Sequence, residues 1–162
     1  MEKKHYGFEF ESYDSIDQLD AADAALLRSA QKVTEKAYAP YSQFHVGATA
    51  MLANGETISG TNQENASYPV GLCAERVLLS AASAVYPNIP INTIAISYQG
   101  ENVTSDKPIS PCGICRQTLV EYETRFAQPI RLILAGQSGK IYVIPKASLL
   151  LPFGFSGEDL NS

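Results

Sequence analysis

Three cysteines in two places set the strongest constraint on the fold. They stand in Cys73-Ala74-Glu75 and in Pro111-Cys112-Gly113-Ile114-Cys115. An odd count cannot pair fully within one chain. The opening Met1-Glu2-Lys3-Lys4-His5 is not followed by an apolar run, so no secretory signal is expected and a reducing, cytoplasmic compartment is. Grouped cysteines in such a compartment point to metal or catalysis rather than to disulfides. The i, i+3 spacing of Cys112 and Cys115 puts both sulfurs on one side of a helical turn, and Pro111 suits the start of that helix. Cys73 falls at the start of the preceding apolar helical segment. All three thiols are therefore expected at helix N-termini, where unpaired backbone N–H groups favour thiolate.

Three thiolates suit one Zn²⁺ per chain. A closed structural site wants a fourth ligand. The chain has no fourth cysteine, and its two histidines, His5 and His45, stand in no recognisable ligand spacing. The residue count thus favours an open, catalytic site. Glu75, two residues past Cys73, is poorly placed to ligate beside it and well placed to move protons next to the metal.

The rest of the pattern supplies a scaffold. Leu19, Ala22, Leu26, Leu27, Ala30, Val33 and Ala37 recur at helical spacing. They predict a helix of about five turns, capped by Ser15 or Asp17 and stopped by Pro40. Strands are expected over 46–53 and 57–62, joined at Asn54-Gly55, a strong two-residue hairpin signal. A buried helix follows over 72–86, then a strand over 91–98, a loop over 99–110 and a helix over 112–126. Strands over 130–135 and 141–144 and a short helix over 147–151 complete the order. Strand–helix–strand crossovers favour parallel pairing, while the hairpin demands an antiparallel pair. The expected fold class is α/β: a three-layer α/β/α domain over 1–162, with a mixed sheet of about five strands and helices on both faces. Residues 1–16, where Tyr6, Phe8, Phe10 and Tyr13 alternate with polar residues, form an N-terminal extension that reads either as an added strand or as a loose arm. A net charge of −5 is a poor match for nucleic acid, and no apolar run is long enough for a membrane span.

Cys-x-Glu followed by Pro-Cys-x-x-Cys is the signature of nucleobase and nucleoside deaminases. It stands here among five ordered motifs. They are Ala39-Pro40-Tyr41-Ser42-Gln43-Phe44-His45-Val46-Gly47-Ala48, Thr61-Asn62-Gln63-Glu64-Asn65-Ala66-Ser67-Tyr68-Pro69, Leu72-Cys73-Ala74-Glu75-Arg76, Ser110-Pro111-Cys112-Gly113-Ile114-Cys115-Arg116-Gln117 and Leu150-Leu151-Pro152-Phe153-Gly154-Phe155. With them the sequence resembles the cytidine deaminase family in its small homotetrameric form, over most of the chain.

The resemblance implies hydrolytic deamination of cytidine and 2′-deoxycytidine to uridine and 2′-deoxyuridine with release of ammonia, a step of pyrimidine salvage. It implies Cys73, Cys112 and Cys115 as zinc ligands and Glu75 as the proton shuttle. Asn62 and Glu64 would bond the ribose 3′-hydroxyl, Phe44 would line the pyrimidine pocket, and the Ala74 backbone would meet the base edge. Arg76 would hydrogen-bond the cysteine sulfurs and draw charge off them. Tyr68 and Phe155 would sit near a neighbouring subunit's site in a homotetramer. Two features depart from the shortest members: the N-terminal extension and the long 99–110 loop. Related folds act on aminopyrimidine antibiotics or on bases within polynucleotides. The Asn62-x-Glu64-Asn65 and Phe44 segments favour a nucleoside, and the net charge disfavours a polynucleotide.

Overall fold

Alternation of apolar side chains along the strands buries both faces of one sheet. A computed structural model describes residues 1–160, so the last two positions of the expected 1–162 domain lie outside the described residues. In chain order the elements are β1 (Glu11–Tyr13), α1 (Ala21–Val33), β2 (Phe44–Leu52), β3 (Thr57–Thr61), α2 (Ala74–Val85), β4 (Ile91–Gly100), α3 (Gly113–Phe126), β5 (Arg131–Ala135) and β6 (Ile141–Ile144). The six strands lie in the order β1-β6-β5-β4-β2-β3. Only β4 and β5 run parallel, joined through α3, and every other neighbouring pair is antiparallel.

The two faces have separate cores. On one face Ile94 and Ile96 of β4 and Leu132 and Leu134 of β5 meet Leu78, Leu79 and Ala82 of α2 and Leu119 of α3. On the other, the intervening Ala95 and Ile133 meet Leu26, Leu27 and Ala30 of α1. This is the period-2 strand pattern read against the helical period. Each fully buried Leu or Ile contributes about 1.5–3 kcal/mol. The α/β/α layering expected from the sequence is what the chain forms.

Glycines set how closely the helices approach. A Cβ on Gly47 would lie 2.4 Å from the Ala30 carbonyl oxygen of α1. One on Gly60 would lie 2.4 Å from the Leu78 nitrogen and 2.6 Å from the Ala74 oxygen of α2. Only glycine lets the backbones touch at these two points.

Glu11–Tyr13 pairs with β6 and closes that edge as a sixth strand beside the about five expected, so part of the N-terminal extension takes the added-strand alternative. Four other expectations need correction. The first helix is shorter than five turns. Asp20, not Ser15 or Asp17, caps it by accepting from the Asp23 N–H at 2.8 Å, and it gives way at Val33 to a 3₁₀ turn over Thr34–Lys36. The β2–β3 connection is a three-residue loop. Leu52 N–H bonds the Glu56 carbonyl and Gly55 N–H bonds the Leu52 carbonyl, with Gly55 at φ 86° taking the left-handed position of that loop type. Finally, β4 runs on to Gly100 because β2 pairs with it as far as Phe44, which shortens the following loop to 101–110. The helices expected over 72–86 and 112–126 and the strands over 130–135 and 141–144 are present with ends shifted by at most two residues. The expected 147–151 helix is a 3₁₀ turn over Ala147–Leu150.

Candidate active site

α2 and α3 bring their N-termini together on one face of the sheet. Cys73 is the N-cap residue of α2 and Cys112 that of α3, and neither side chain makes a capping bond to the first-turn N–H groups of its helix. Serine, threonine or aspartate at these positions would satisfy the first-turn N–H groups locally. Cysteine leaves both the sulfur and those N–H dipoles turned to a common centre. The Sγ atoms of Cys73 and Cys112 are 3.7 Å apart, those of Cys112 and Cys115 are 3.5 Å apart, and all three lie within 4.8 Å of one another. Tetrahedral zinc with Zn–S bonds of about 2.3 Å spaces its sulfurs by roughly 3.8 Å, so the trio fits the ion. It is the one group of three or more potential ligands this close among the described residues.

The trio is graded in burial. Cys115 is fully buried, Cys73 is half-buried and Cys112 is exposed. The Cys73 thiol is drawn down to about 6, chiefly by its bond with Cys115, with smaller help from Cys112 and the Arg76 charge. The Cys115 thiol is pushed up because it keeps the proton shared with Cys73 and is buried. A dication bound by the trio would displace the thiol protons.

Glu75 follows in the first turn of α2 and is only 5% exposed. Burial raises its carboxyl pKa, and a bond from its own backbone N–H offsets part of that rise. A carboxyl held closer to neutrality beside a cation site is suited to taking and returning protons.

A cleft of about 610 Å³ opens over this cluster. Phe44, Asn62, Glu64, Tyr68, Ala74 and Glu75 all line it, together with Cys73 and Cys112. Most of the residues singled out in the sequence therefore share one cavity. Asn62 braces the start of β2, accepting from the Val46 N–H at 2.7 Å and donating to the Phe44 carbonyl at 2.8 Å. Backbone bonds from Gln63 to Leu72 and from Glu64 to Tyr38 hold this edge of the cleft. The Glu64 carboxylate accepts from the Tyr41 and Ser42 N–H groups. Together with the Ser42 hydroxyl, the largest cause, these bonds hold it below its ordinary range.

Three residues stand apart. Arg76 acts on Cys73 through its charge, and the hydrogen bond to sulfur expected from the resemblance is not among those formed by the described residues. Tyr68 sits on the rim, 74% exposed, its ring edge-on to Tyr41. Phe155 lies outside this chain's own cleft, and its carbonyl accepts from the Gln117 side chain.

Sequence reasoning left other residues unassigned. Ser42, Ile109 and Ser110 also line the cleft. Arg116 bonds the Pro111 and Leu150 carbonyls, fastening the segment that enters Cys112 to the C-terminal region. Its place directly after Cys115 was the only signal, and its partners are visible only in the fold.

An α/β/α fold with a three-sulfur cluster that fits a cation and a buried acid lining the same cleft is the layout of a metal-dependent hydrolase. Residues 20–127 match the family described as the cytidine and deoxycytidylate deaminase zinc-binding region. A cytidine deaminase of Halalkalibacterium halodurans is 37% identical over 136 residues, covering 84% of this chain and 96% of the relative. A Mycobacterium tuberculosis cytidine deaminase is 33% identical over 135 residues, covering 82% and 88%. Among solved structures, the Burkholderia pseudomallei cytidine deaminase superposes with a TM-score of 0.70 at 38% identity, covering 81% of this chain and 97% of that one. The chain belongs to the cytidine and deoxycytidylate deaminase family.

Proposed function

We propose that this chain catalyses the zinc-dependent hydrolytic deamination of cytidine and 2′-deoxycytidine, as a cytoplasmic homotetramer serving pyrimidine salvage. The observation that carries the reading is the placement of Glu75. Its buried carboxyl lies beside Cys115 at the foot of the cleft that Phe44, Asn62 and Glu64 line.

Cys73, Cys112 and Cys115 would hold one zinc, which would supply Lewis-acid activation of a water. Glu75 takes one proton from the water and passes it to N3 as the water oxygen bonds to C4, then moves the second proton from that oxygen to the 4-amino group. The C4–N bond breaks as the C4 carbonyl forms, and ammonia leaves with uridine as product. Phe44 forms an aromatic wall for the base, and the Ala74 backbone, fully buried at the start of α2, meets its edge. Asn62 and Glu64 address the 3′-hydroxyl. These contacts do not read the 2′-position, which is why both nucleosides are substrates. Arg76 lowers the charge on the sulfurs through its proximity to Cys73. The exposed Tyr68 and Phe155 serve a neighbouring subunit's cleft in the assembly.

Zinc-loaded protein incubated with cytidine, alone and in competition with a cytosine-containing oligonucleotide, tests the reading. Conversion to uridine that the oligonucleotide leaves undiminished supports it. Deamination of the oligonucleotide in preference to cytidine would overturn it.

A further inference from the structure

Phe44 has a partner that none of the functional assignments use. Tyr98 of β4 is 2% exposed and does not line the cleft, yet its ring stacks on that of Phe44 at a centroid distance of 5.1 Å and an interplanar angle of 23°. The sheet register explains the pairing. Tyr98 lies opposite Val46, and Phe44 lies opposite Gly100, so Phe44 and Tyr98 are diagonal neighbours on one face. Gly100 offers no side chain to compete for the space beside Phe44. A Cβ there would meet the Gln43 carbonyl oxygen and the Val103 side chain, each at 2.9 Å.

The other end of Tyr98 reaches the 101–110 loop. Its hydroxyl lies 3.4 Å from the Thr104 carbonyl, to which it donates. That loop is fastened at Ser105, whose carbonyl accepts from the Ser138 N–H at 3.0 Å, and it continues into Ile109 and Ser110, which line the cleft just before Cys112. One side chain therefore touches both Phe44 and the loop that leads to Ile109 and Ser110 of the cleft.

We propose that Tyr98 is a positioning residue for the base. Its ring fixes the plane of Phe44. This rests on the nucleoside reading above. The contact acts on substrate and transition state alike, so its loss raises KM and leaves kcat in place.

The experiment measures kcat, KM and zinc content for the unsubstituted enzyme and for Tyr98→Leu, Tyr98→Phe, Phe44→Leu and the Tyr98→Leu/Phe44→Leu double variant. Tyr98→Leu is expected to raise KM for cytidine roughly three- to tenfold, the range of an aromatic pair contact, with kcat and zinc content unchanged. Tyr98→Phe, which keeps the ring, is expected to restore KM to within about twofold. The double variant is expected to show the KM of Phe44→Leu alone, since the two rings act as one unit. Should Tyr98→Leu not fold, Tyr98→Met takes its place, because an unbranched side chain fills the same space. A wild-type KM in folded, zinc-loaded Tyr98→Leu would overturn the inference. So would a fall in kcat alone, a Tyr98→Phe variant as impaired as Tyr98→Leu, or effects that multiply in the double variant. Absence of cytidine turnover in the unsubstituted, zinc-loaded enzyme would instead overturn the nucleoside reading, and this inference with it.

Discussion

The Sγ of Cys73 stands 3.7 Å from the Sγ of Cys112 across 39 residues of chain. No disulfide or capping bond holds them there. The contact follows from two helices whose N-termini converge on one face of the sheet, each beginning with a cysteine as its N-cap. The site is thus built into the fold before any ion arrives. Cys112→Ala removes one corner of the trio at an exposed position. The variant is expected to keep its helical circular dichroism and to lose its zinc on exhaustive dialysis, as read by elemental analysis. A full equivalent of zinc in the dialysed variant would contradict the ligand assignment.

Gly60 controls the seating of α2, the helix that carries Cys73 and Glu75. A methyl group there would press on the Leu78 nitrogen and the Ala74 oxygen, which are backbone atoms with no rotamer to yield. Gly60→Ala is expected to destabilise the protein by about 1–3 kcal/mol, the usual range for overpacking. Because α2 must shift, zinc affinity should fall with it. Denaturant midpoints and competition with a chromophoric chelator check the two effects.

Glu123 is a structural acid. It is 6% exposed, and its carboxylate accepts from the Ile130, Ala147 and Ser148 N–H groups at 2.8, 2.9 and 3.1 Å. It ties the end of α3 to the entrance of β5 and to the 3₁₀ turn that follows β6. Glu123→Ala would strand the Ile130 and Ser148 N–H groups, while the Ala147 N–H keeps the Ile130 carbonyl as acceptor, and a loss of about 3 kcal/mol in unfolding free energy is expected. An unfolding curve within error of wild type would contradict this role.

Glu64 makes the fold sensitive to acid. The Ser42 hydroxyl and the Tyr41 and Ser42 N–H groups favour its ionised form and lower its pKa from the ordinary 4.5. A depressed folded-state pKa contributes stability that is complete above the ordinary value and is lost as pH falls through the lowered one. The thermal midpoint is therefore expected to drop on acidification below pH 4.5. Glu64→Gln, which cannot ionise, should show a shallower drop over the same range. Parallel slopes for the two proteins would remove Glu64 from the acid response.

Much of this was legible in the sequence because it was local or strictly patterned. The thiols at helix starts follow from spacing and flanking residues, and the α/β/α layering follows from strand and helix periods. What stayed hidden depends on partners distant in sequence. Asp23 forms a two-point ion pair with Arg131, 108 residues away, at 2.7 and 2.5 Å. Glu123 and Arg116 are likewise defined by backbone groups that only the fold brings near. The added strand at Glu11–Tyr13 was undecidable because an alternating segment becomes a strand only when a sheet edge is open to receive it, and β6 supplies that edge. The hairpin signal at Asn54-Gly55 was right in kind and off by one residue, since the same dipeptide serves two- and three-residue loops. The stacking of Phe44 on Tyr98 required the β2–β4 register, which no local pattern specifies.

The central claim is that Glu75 moves protons beside a cation that three sulfurs hold. Zinc content and cytidine turnover, measured on the same preparations of wild type and Glu75→Gln, test it most directly. The account predicts one zinc per chain in both proteins, conversion of cytidine to uridine by the wild type, and a rate lowered by roughly 10²–10⁴-fold in the variant. A zinc-loaded Glu75→Gln variant turning over at the wild-type rate, or a zinc-loaded wild type that releases no uridine, would contradict it.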